Sequence, residues 1–213
     1  MDIYWYGQAC FRLKGKGATV IIDPYSSETG LKLPKDATVG DIVLKSHDHP
    51  DHNNTEAVTS GRVFDKPGEY EVKGVVVTGI SSFHDAVGGA ERGKNIIYHI
   101  LFDGLNIVHL GDLGQNELTE EQIAAIAQTD ILLIPVGGVY TIDGKNASNI
   151  VSQLEPKIII PMHYKIEGLK YDLEPVDNFL KEMGKENKEP LPKLSITSEK
   201  LPEEPEVVIL KPN

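Results

Sequence analysis

Residues 47–52 read His-Asp-His-Pro-Asp-His, so three imidazoles and two carboxylates fall within six positions. At the histidine content of this chain, a pattern fixing His47, His49, Asp51 and His52 arises by chance in about one chain in two thousand of this length. Neutral imidazole and carboxylate together suit Zn²⁺ first, then Fe²⁺, Mn²⁺ or Ni²⁺. The bland alternative is a solvated polar turn, but such turns favour Gly, Asn and Ser over repeated His. On an extended segment His47 and His49 point to the same side and can grip one ion together. Pro50 ends the extended run and makes the chain turn. Asp51 and His52 then face the pocket from its other side and reach toward a second ion. Asn53, Asn54 and Thr55 are good helix N-caps, and 56–58 is expected to open a short helix. Residues 42–45 read as the end of a buried strand, which puts the cluster in a loop at a strand's C-terminal end.

Three further positions carry ligating chemistry at strand ends. His84 follows the predicted strand through 83, Asp112 follows 107–111, and His163 follows 158–162. A lone His after a strand is more often a packed residue than a ligand. Three such residues beside the hexapeptide are a different matter, because strand ends on one side of a layered sheet converge on one pocket. A carboxylate at 112 can span two metals with its two oxygens.

The elements that must position these groups can be outlined from the pattern. The 213 residues suit one domain, 1–213, with a substantial core. Strands are expected at 3–6, 9–13 and 19–22. Hairpins are expected at 69–73 with 75–81 around Gly74, and at 95–102 with 106–110 around Asp103-Gly104. The second half alternates. A helix starts at Thr119 with Ile123, Ile126 and Ala127 on one face, and 131–135 is a buried strand. A helix at 147–154, a strand at 157–161 and a helix at 174–183 follow. Residues 184–206 read as an exposed connection with a strand within 193–197, and 207–210 closes the sheet. Two β-rich layers with helices outside them fit a four-layer architecture of the α/β (α+β) class.

Composition narrows the partners. The formal net charge of −11 opposes a phosphate backbone as a partner, so no nucleic acid is expected. It leaves room for a small anionic substrate, because a metal pair is a strong local positive charge. No apolar run is long enough for a membrane span. The N-terminus has neither a basic region nor an apolar signal core, and Cys10 is alone, which points to the reducing cytoplasm. Self-association into a homo-oligomer is left open.

His47-Asp48-His49-Pro50-Asp51-His52, then His84, Gly111-Asp112 and His163, together resemble the motif of metallo-β-lactamase-fold hydrolases. The likeness runs from about residue 3 to 210. It implies an αββα sandwich with a two-metal site. By that resemblance His47, His49 and His84 hold the first metal, Asp51, His52 and His163 hold the second, and Asp112 bridges them. Asp23 matches the family's acidic residue after an early strand and would orient a ligand His; its alternative is a turn-forming Asp before Pro24. His109, two residues before Gly111, is expected to pack rather than ligate. Residues 6–11 and 161–164 look most like the small zinc-dependent hydrolase branch, many of whose members are uncharacterised. L-ascorbate-6-phosphate lactonases and N-acyl phosphatidylethanolamine phospholipases resemble that branch more distantly. Many of its members carry His where this chain has Gln8. Tyr140, Thr141, Tyr164 and Lys165 are candidates to touch substrate, against ordinary loop packing.

The implied chemistry is metal-assisted hydrolysis. Two ions, Zn or else Mn, Fe or Ni, about 3.5–4 Å apart would hold a bridging hydroxide. It would attack an ester, lactone, thioester or phosphodiester in a small-molecule substrate, with Asp51 as the catalytic residue that orients it and later passes a proton to the leaving group. The alternatives are a metal-binding protein without catalysis, and a di-iron redox protein.

Overall fold

The computed structural model describes residues 1–186 and 188–213, so position 187 of the expected 184–206 connection lies outside the described residues. In chain order the strands and helices are β1 (Asp2–Trp5), β2 (Phe11–Lys14), β3 (Thr19–Ile22), β4 (Ile42–Leu44), β5 (Arg62–Phe64), β6 (Gly68–Val72), β7 (Val75–Phe83), β8 (Lys94–Phe102), β9 (Leu105–His109), α1 (Glu120–Ile126), β10 (Ile131–Pro135), α2 (Gly144–Leu154), β11 (Ile158–Met162), α3 (Val176–Glu182), β12 (Leu194–Ser195) and β13 (Glu206–Val207).

Period-2 alternation builds the first sheet, whose order is β12-β1-β2-β3-β4-β5. Ile3, Trp5, Phe11, Leu13, Val20, Ile22, Ile42 and Leu44 all face the main core. The alternate positions Ile21 and Val43 lie on the other face, packed with Val58. The second sheet runs β13-β11-β10-β9-β8-β7-β6. Its β9, β10 and β11 pair in parallel. In β10 and β11 every residue is buried, as expected for strands covered on both faces. The two sheets pack face to face on one apolar core. Burial of this kind contributes about 25 cal/mol per Å² of apolar surface.

Helices α1 and α2 lie against β7 and β10 of the second sheet, and α3 packs on α2. Outside the first sheet the expected helical layer is reduced, among the described residues, to 3₁₀ turns. The one at Thr55–Ala57 stands where a short helix was expected; it buries nothing, and its cap residue Asn54 makes no side-chain cap bond. Two more turns, Ser27–Thr29 and Lys35–Thr38, span a stretch whose Leu31, Leu33 and Ala37 pack with Tyr6, Cys10 and Tyr25.

Several boundaries moved for identifiable reasons. The 9–13 strand begins only at Phe11, because Gln8 adopts φ 48° and residues 7–10 close a turn with Cys10 N–H on the Gly7 carbonyl at 3.0 Å. Asp143 caps α2 through Asn146 N–H at 2.8 Å, so that helix starts before the expected 147. Helix α1 has a full Thr119/Gln122 capping box but ends at Ile126, with Ala127 at φ 58° beyond it. Strand β5 was not expected; only Phe64 of its three residues is buried, so no alternation marks it. Both hairpins form where expected, with Lys73-Gly74 and Asp103-Gly104 at positive φ. No helix of the described residues is long and apolar enough to cross a membrane.

One buried hydroxyl ties the two sheets beside the hexapeptide. Tyr98 on β8 donates toward the Lys45 carbonyl, just beyond β4, at 2.7 Å and the Phe64 carbonyl of β5 at 2.9 Å. Tyr98→Phe removes that donor from both carbonyls, of which that of Phe64 keeps the Lys45 N–H at 3.0 Å. It is expected to lower unfolding free energy by about 1–2 kcal/mol, read by urea denaturation. A change within error would mean that the tether contributes nothing to joining the sheets.

Candidate metal centre

Four strand ends deliver the seven candidate ligands to one place. His47 lies just beyond β4, His84 directly follows β7, Asp112 lies three residues past β9, and His163 directly follows β11. After Pro50 the chain turns, with the N–H groups of His52 and Asn53 both on the His49 carbonyl, at 2.9 and 3.1 Å. That turn swings Asp51 and His52 across to face His163 and Asp112. Gly111 permits the approach of Asp112: its φ is 56°, and a Cβ there would collide with Asn95 Oδ1. Gly137 plays the same part for β11, because a Cβ there would overlap the His163 carbonyl.

The donors fall into two groups, His47 with His49 and His84, and Asp51 with His52, Asp112 and His163; within each, the ligating atoms lie within 4.8 Å of one another. His47 Nε2 is 3.0 Å from His49 Nδ1. In the second group Asp112 Oδ2 is 3.2 Å from both His52 Nε2 and His163 Nε2, and Asp51 Oδ2 is 3.4 Å from each. Four donors about 2.0–2.1 Å from a tetrahedral Zn²⁺ are separated by about 3.3–3.4 Å. The second group therefore has the spacing of a coordination shell. Asp112 Oδ2 also lies 3.4 Å from His84 Nε2, at the seam between the groups. All but the half-buried His49 are buried, yet His52 Nε2 and Asp112 Oδ1 have no hydrogen-bond partner. Buried polar atoms left without partners are costly, and a cation between them removes that cost.

Asp23 orients an imidazole in each group. Its Oδ1 accepts from Ser46 N–H at 2.7 Å, and its Oδ2 accepts from Ser46 Oγ at 2.6 Å and from His52 Nδ1 at 2.9 Å. Ser46 Oγ, having given its proton to Asp23, accepts from His47 Nδ1 at 3.0 Å. The network assigns the proton to Nδ1 of both His47 and His52, leaving each Nε2 directed at the centre. Asn95 performs a related task for Asp112, accepting its backbone N–H at 3.0 Å while donating to the Leu110 carbonyl and to Ser82. His109 does not reach the centre; Nε2 donates to the Ala9 carbonyl at 2.9 Å and Nδ1 accepts Gly111 N–H at 3.1 Å, so it clamps the 7–10 turn to the Gly111-Asp112 turn.

Charge divides the two groups. Burial pushes the His47 and His84 imidazoles down, His47 well below the usual histidine range, so both are neutral and ready to ligate. Burial would do the same to His52, but Asp112, Asp51 and Asp23 surround it and hold it well above that range. Burial would raise the Asp51 and Asp112 carboxyls. His52 and His163 overcome it for Asp51, as do His163, His52 and His47 for Asp112, and both stay well below the usual carboxylate range.

The entrance is a cavity of about 350 Å³ lined by His49, Asp51, Arg92, Tyr140 and Tyr171 among others. Of the four residues expected to touch substrate, Tyr140 is in that lining. Tyr164 is instead buried against Trp5, with ring centroids 4.9 Å apart. Lys165 is exposed and donates to the Tyr171 carbonyl at 2.9 Å, and Thr141 donates to the Ile142 carbonyl. Gln8 proves to be part of the centre, its Nε2 donating to Asp51 Oδ2 at 2.9 Å and lying 3.2 Å from His163 Nε2. Ser46, Asn95, Arg92 and Tyr171 were not legible as site residues, because nothing in their local pattern marks them.

A family model described as the beta-lactamase superfamily domain matches residues 2–163. The chain belongs to the metallo-beta-lactamase superfamily. A UPF0173 metal-dependent hydrolase of Thermoplasma acidophilum is 32% identical over 193 residues, 77% of this chain and 83% of that one. A UPF0173 protein of Pyrococcus abyssi is 29% identical, over 82% of this chain and 91% of its own. A crystal structure from Thermotoga maritima, of the same superfamily, is 39% identical and superposes with a TM-score of 0.79 over 98% of this chain and 97% of that one. The relatives named in this way place the chain in a superfamily of metal-dependent hydrolases, with the sandwich fold and a His/Asp cluster suited to metal.

The division of charge has a measurable consequence. A cation taken up at His52 Nε2 would displace a proton, because the surrounding carboxylates favour the protonated imidazole, whereas burial favours neutral His47 and His84. Loading with Zn²⁺ at pH 7 is expected to release about one proton per chain, read by titration calorimetry in buffers of different ionisation heat. Release of no proton would contradict the assignment of charge to His52.

Proposed function

We propose that the chain hydrolyses an ester, lactone, thioester or phosphodiester bond in a small-molecule substrate with two divalent ions, Zn²⁺ ahead of Mn²⁺, Fe²⁺ or Ni²⁺. The observation that carries this reading is the position of Asp112. Its Oδ2 stands within 3.4 Å of His84 on one side and of His52 and His163 on the other. A carboxylate there could serve both donor groups at once. His47, His49 and His84 would hold one ion, Asp51, His52 and His163 the other, with Asp112 between them. Bound there, the ions would supply a water of lowered pKa and an electrophile for the substrate's carbonyl or phosphoryl oxygen.

The remaining roles fall to the chain's own groups. Asp51 lines the entrance cavity and is ionised, so its carboxylate can orient a water by accepting its hydrogen and later return a proton to the leaving group. Gln8 keeps that carboxylate in place by donating to Oδ2. Asp23 fixes the tautomers of His47 and His52 through bonds that need no movement during turnover. Neither Ser nor Cys is needed as a nucleophile. Cys10 is wholly buried, and burial raises its thiol well above the usual range, so it packs as a small apolar residue.

The test begins with metal. Protein purified without chelator is expected to carry about two equivalents of Zn, Mn or Fe per chain by elemental analysis. Asp112→Ala should reduce that to about one and cut hydrolysis by at least about a hundredfold. Full activity in that variant would sink the two-metal proposal. Bound metal without turnover across esters, lactones, thioesters and phosphodiesters would favour the non-catalytic reading instead.

A further inference from the structure

Two cavities open beside His49, one the entrance of about 350 Å³ and the other of about 380 Å³. They share His49 and Arg92. The second is also lined by Lys94, which opens β8 two residues after Arg92 in the preceding turn, so two cations stand at the edge of the metal centre. This is unusual in a chain of net charge −11.

The loop that carries Arg92 is built rather than loose. Asp85 is buried and accepts four backbone N–H bonds, from Val87 and Gly89 on Oδ1 and from Glu91 and Arg92 on Oδ2, at 2.7–3.0 Å. Those bonds hold its carboxyl at about 2, the Arg92 N–H contributing most. The Arg92 side chain itself is sparsely engaged. Nη2 donates to the Val139 carbonyl at 3.4 Å, Nη1 is 3.8 Å from Glu91, and the guanidinium lies 5.9 Å from the Tyr140 ring centroid. Most of its five donors have no carboxylate partner. The two acids lining the second cavity do not neutralise this pair, because Asp48 and Asp65 both hold Lys45, each at 3.4 Å. Tyr140 and Tyr171 meet edge to face, 6.2 Å between centroids, and give the entrance an aromatic wall beside Arg92.

We propose that Arg92 and Lys94 receive a carboxylate or phosphate group of the substrate, whose apolar or aromatic body lies against Tyr140 and Tyr171. The word substrate rests on the hydrolase reading; the anion site does not. A guanidinium suits a planar or tetrahedral oxyanion bidentately, and a neighbouring ammonium adds charge without demanding geometry. The anion would sit beside the ions instead of on them, which leaves the scissile group free to reach the centre. The class selected is thus a small organic acid or phosphate carrying a second, hydrolysable bond.

Binding separates this inference from catalysis. Metal-loaded wild type, Arg92→Gln and Lys94→Gln are titrated with phenylacetate, benzylphosphonate and the neutral isostere phenylacetamide. Attraction of the anions to the metals is common to all three proteins and cancels in the comparison, provided elemental analysis gives equal metal content. Arg92→Gln is expected to weaken both anions about tenfold, and Lys94→Gln by a smaller factor, while phenylacetamide affinity is unchanged. The anion that binds wild type more tightly tells carboxylate from phosphate. Unchanged anion affinity in both variants, or equal weakening of the amide, would overturn the site. If the anions behave as expected but wild type turns over no ester, lactone, thioester or phosphodiester, the hydrolase reading fails and the anion site stands.

Discussion

Asp23 is wholly buried, and every bond its carboxylate makes holds some part of the site in position. Its backbone N–H is bonded to the Leu44 carbonyl at 2.9 Å, which locks the end of β3 to the end of β4. Its oxygens then hold Ser46 and His52, and through Ser46 they hold His47. One carboxylate thus sets the direction of an imidazole in each donor group. A buried charge is tolerated only when its neighbours satisfy it, and here three donors do so. Without it, His47 and His52 would be free to rotate or to exchange tautomers, and neither Nε2 would be committed to the centre.

The same logic explains why the two donor groups differ. In the first, neutral imidazoles dominate and burial keeps them neutral. In the second, three carboxylates crowd His52 and favour its protonated form. Asp112 sits where the two environments meet, and its position depends on Asn95, whose side chain connects β7, β8 and the 110–112 turn. The chemistry of the centre is therefore a property of the sheet ends, not of the hexapeptide alone.

How far the site could be read from the chain follows from this. The seven candidate ligands were legible from local patterns, a dense His/Asp hexapeptide in the loop after one apolar strand and single His or Asp residues at or near the ends of three others. The sandwich was legible for the same reason, from alternation in the first half and continuous apolar runs at β10 and β11. Gln8 was visible as a residue but not as a neighbour of Asp51, because the contact joins positions 43 apart through a turn that alternation cannot foretell. Arg92 and Tyr171 depend on loops whose course is set by Asp85 and by Lys165. Tyr164 looked equally eligible for the pocket, yet its ring is engaged by Trp5. Strand β5 escaped notice since two of its three residues face solvent.

Backbone torsions give the same division between fold and site. Lys73 and Asp103 have positive φ where a two-residue hairpin requires it, each followed by Gly, and the twist of the strands favours them. Gln8, Asp23 and His163 have φ of 48°, 45° and 53° without being hairpin residues. Each such torsion costs about 1–2 kcal/mol in a non-glycine residue. The cost is met by buried bonds, from Asp23 to Leu44, Ser46 and His52 and between Gln8 and His163. The Gln8 carbonyl accepts from Trp5 Nε1 at 2.8 Å and from His163 N–H at 3.1 Å, so two strained residues brace each other beneath the centre. The left-handed torsion is what turns each side chain off its strand and into the pocket. A glycine at any of the three would relieve the backbone but remove the group that the torsion exists to aim. Ala127, Val139 and Glu155 also adopt positive φ, at helix ends and in a loop outside the centre, so what distinguishes Gln8, Asp23 and His163 is that strain there coincides with polar convergence, which the rest of the sandwich holds in place.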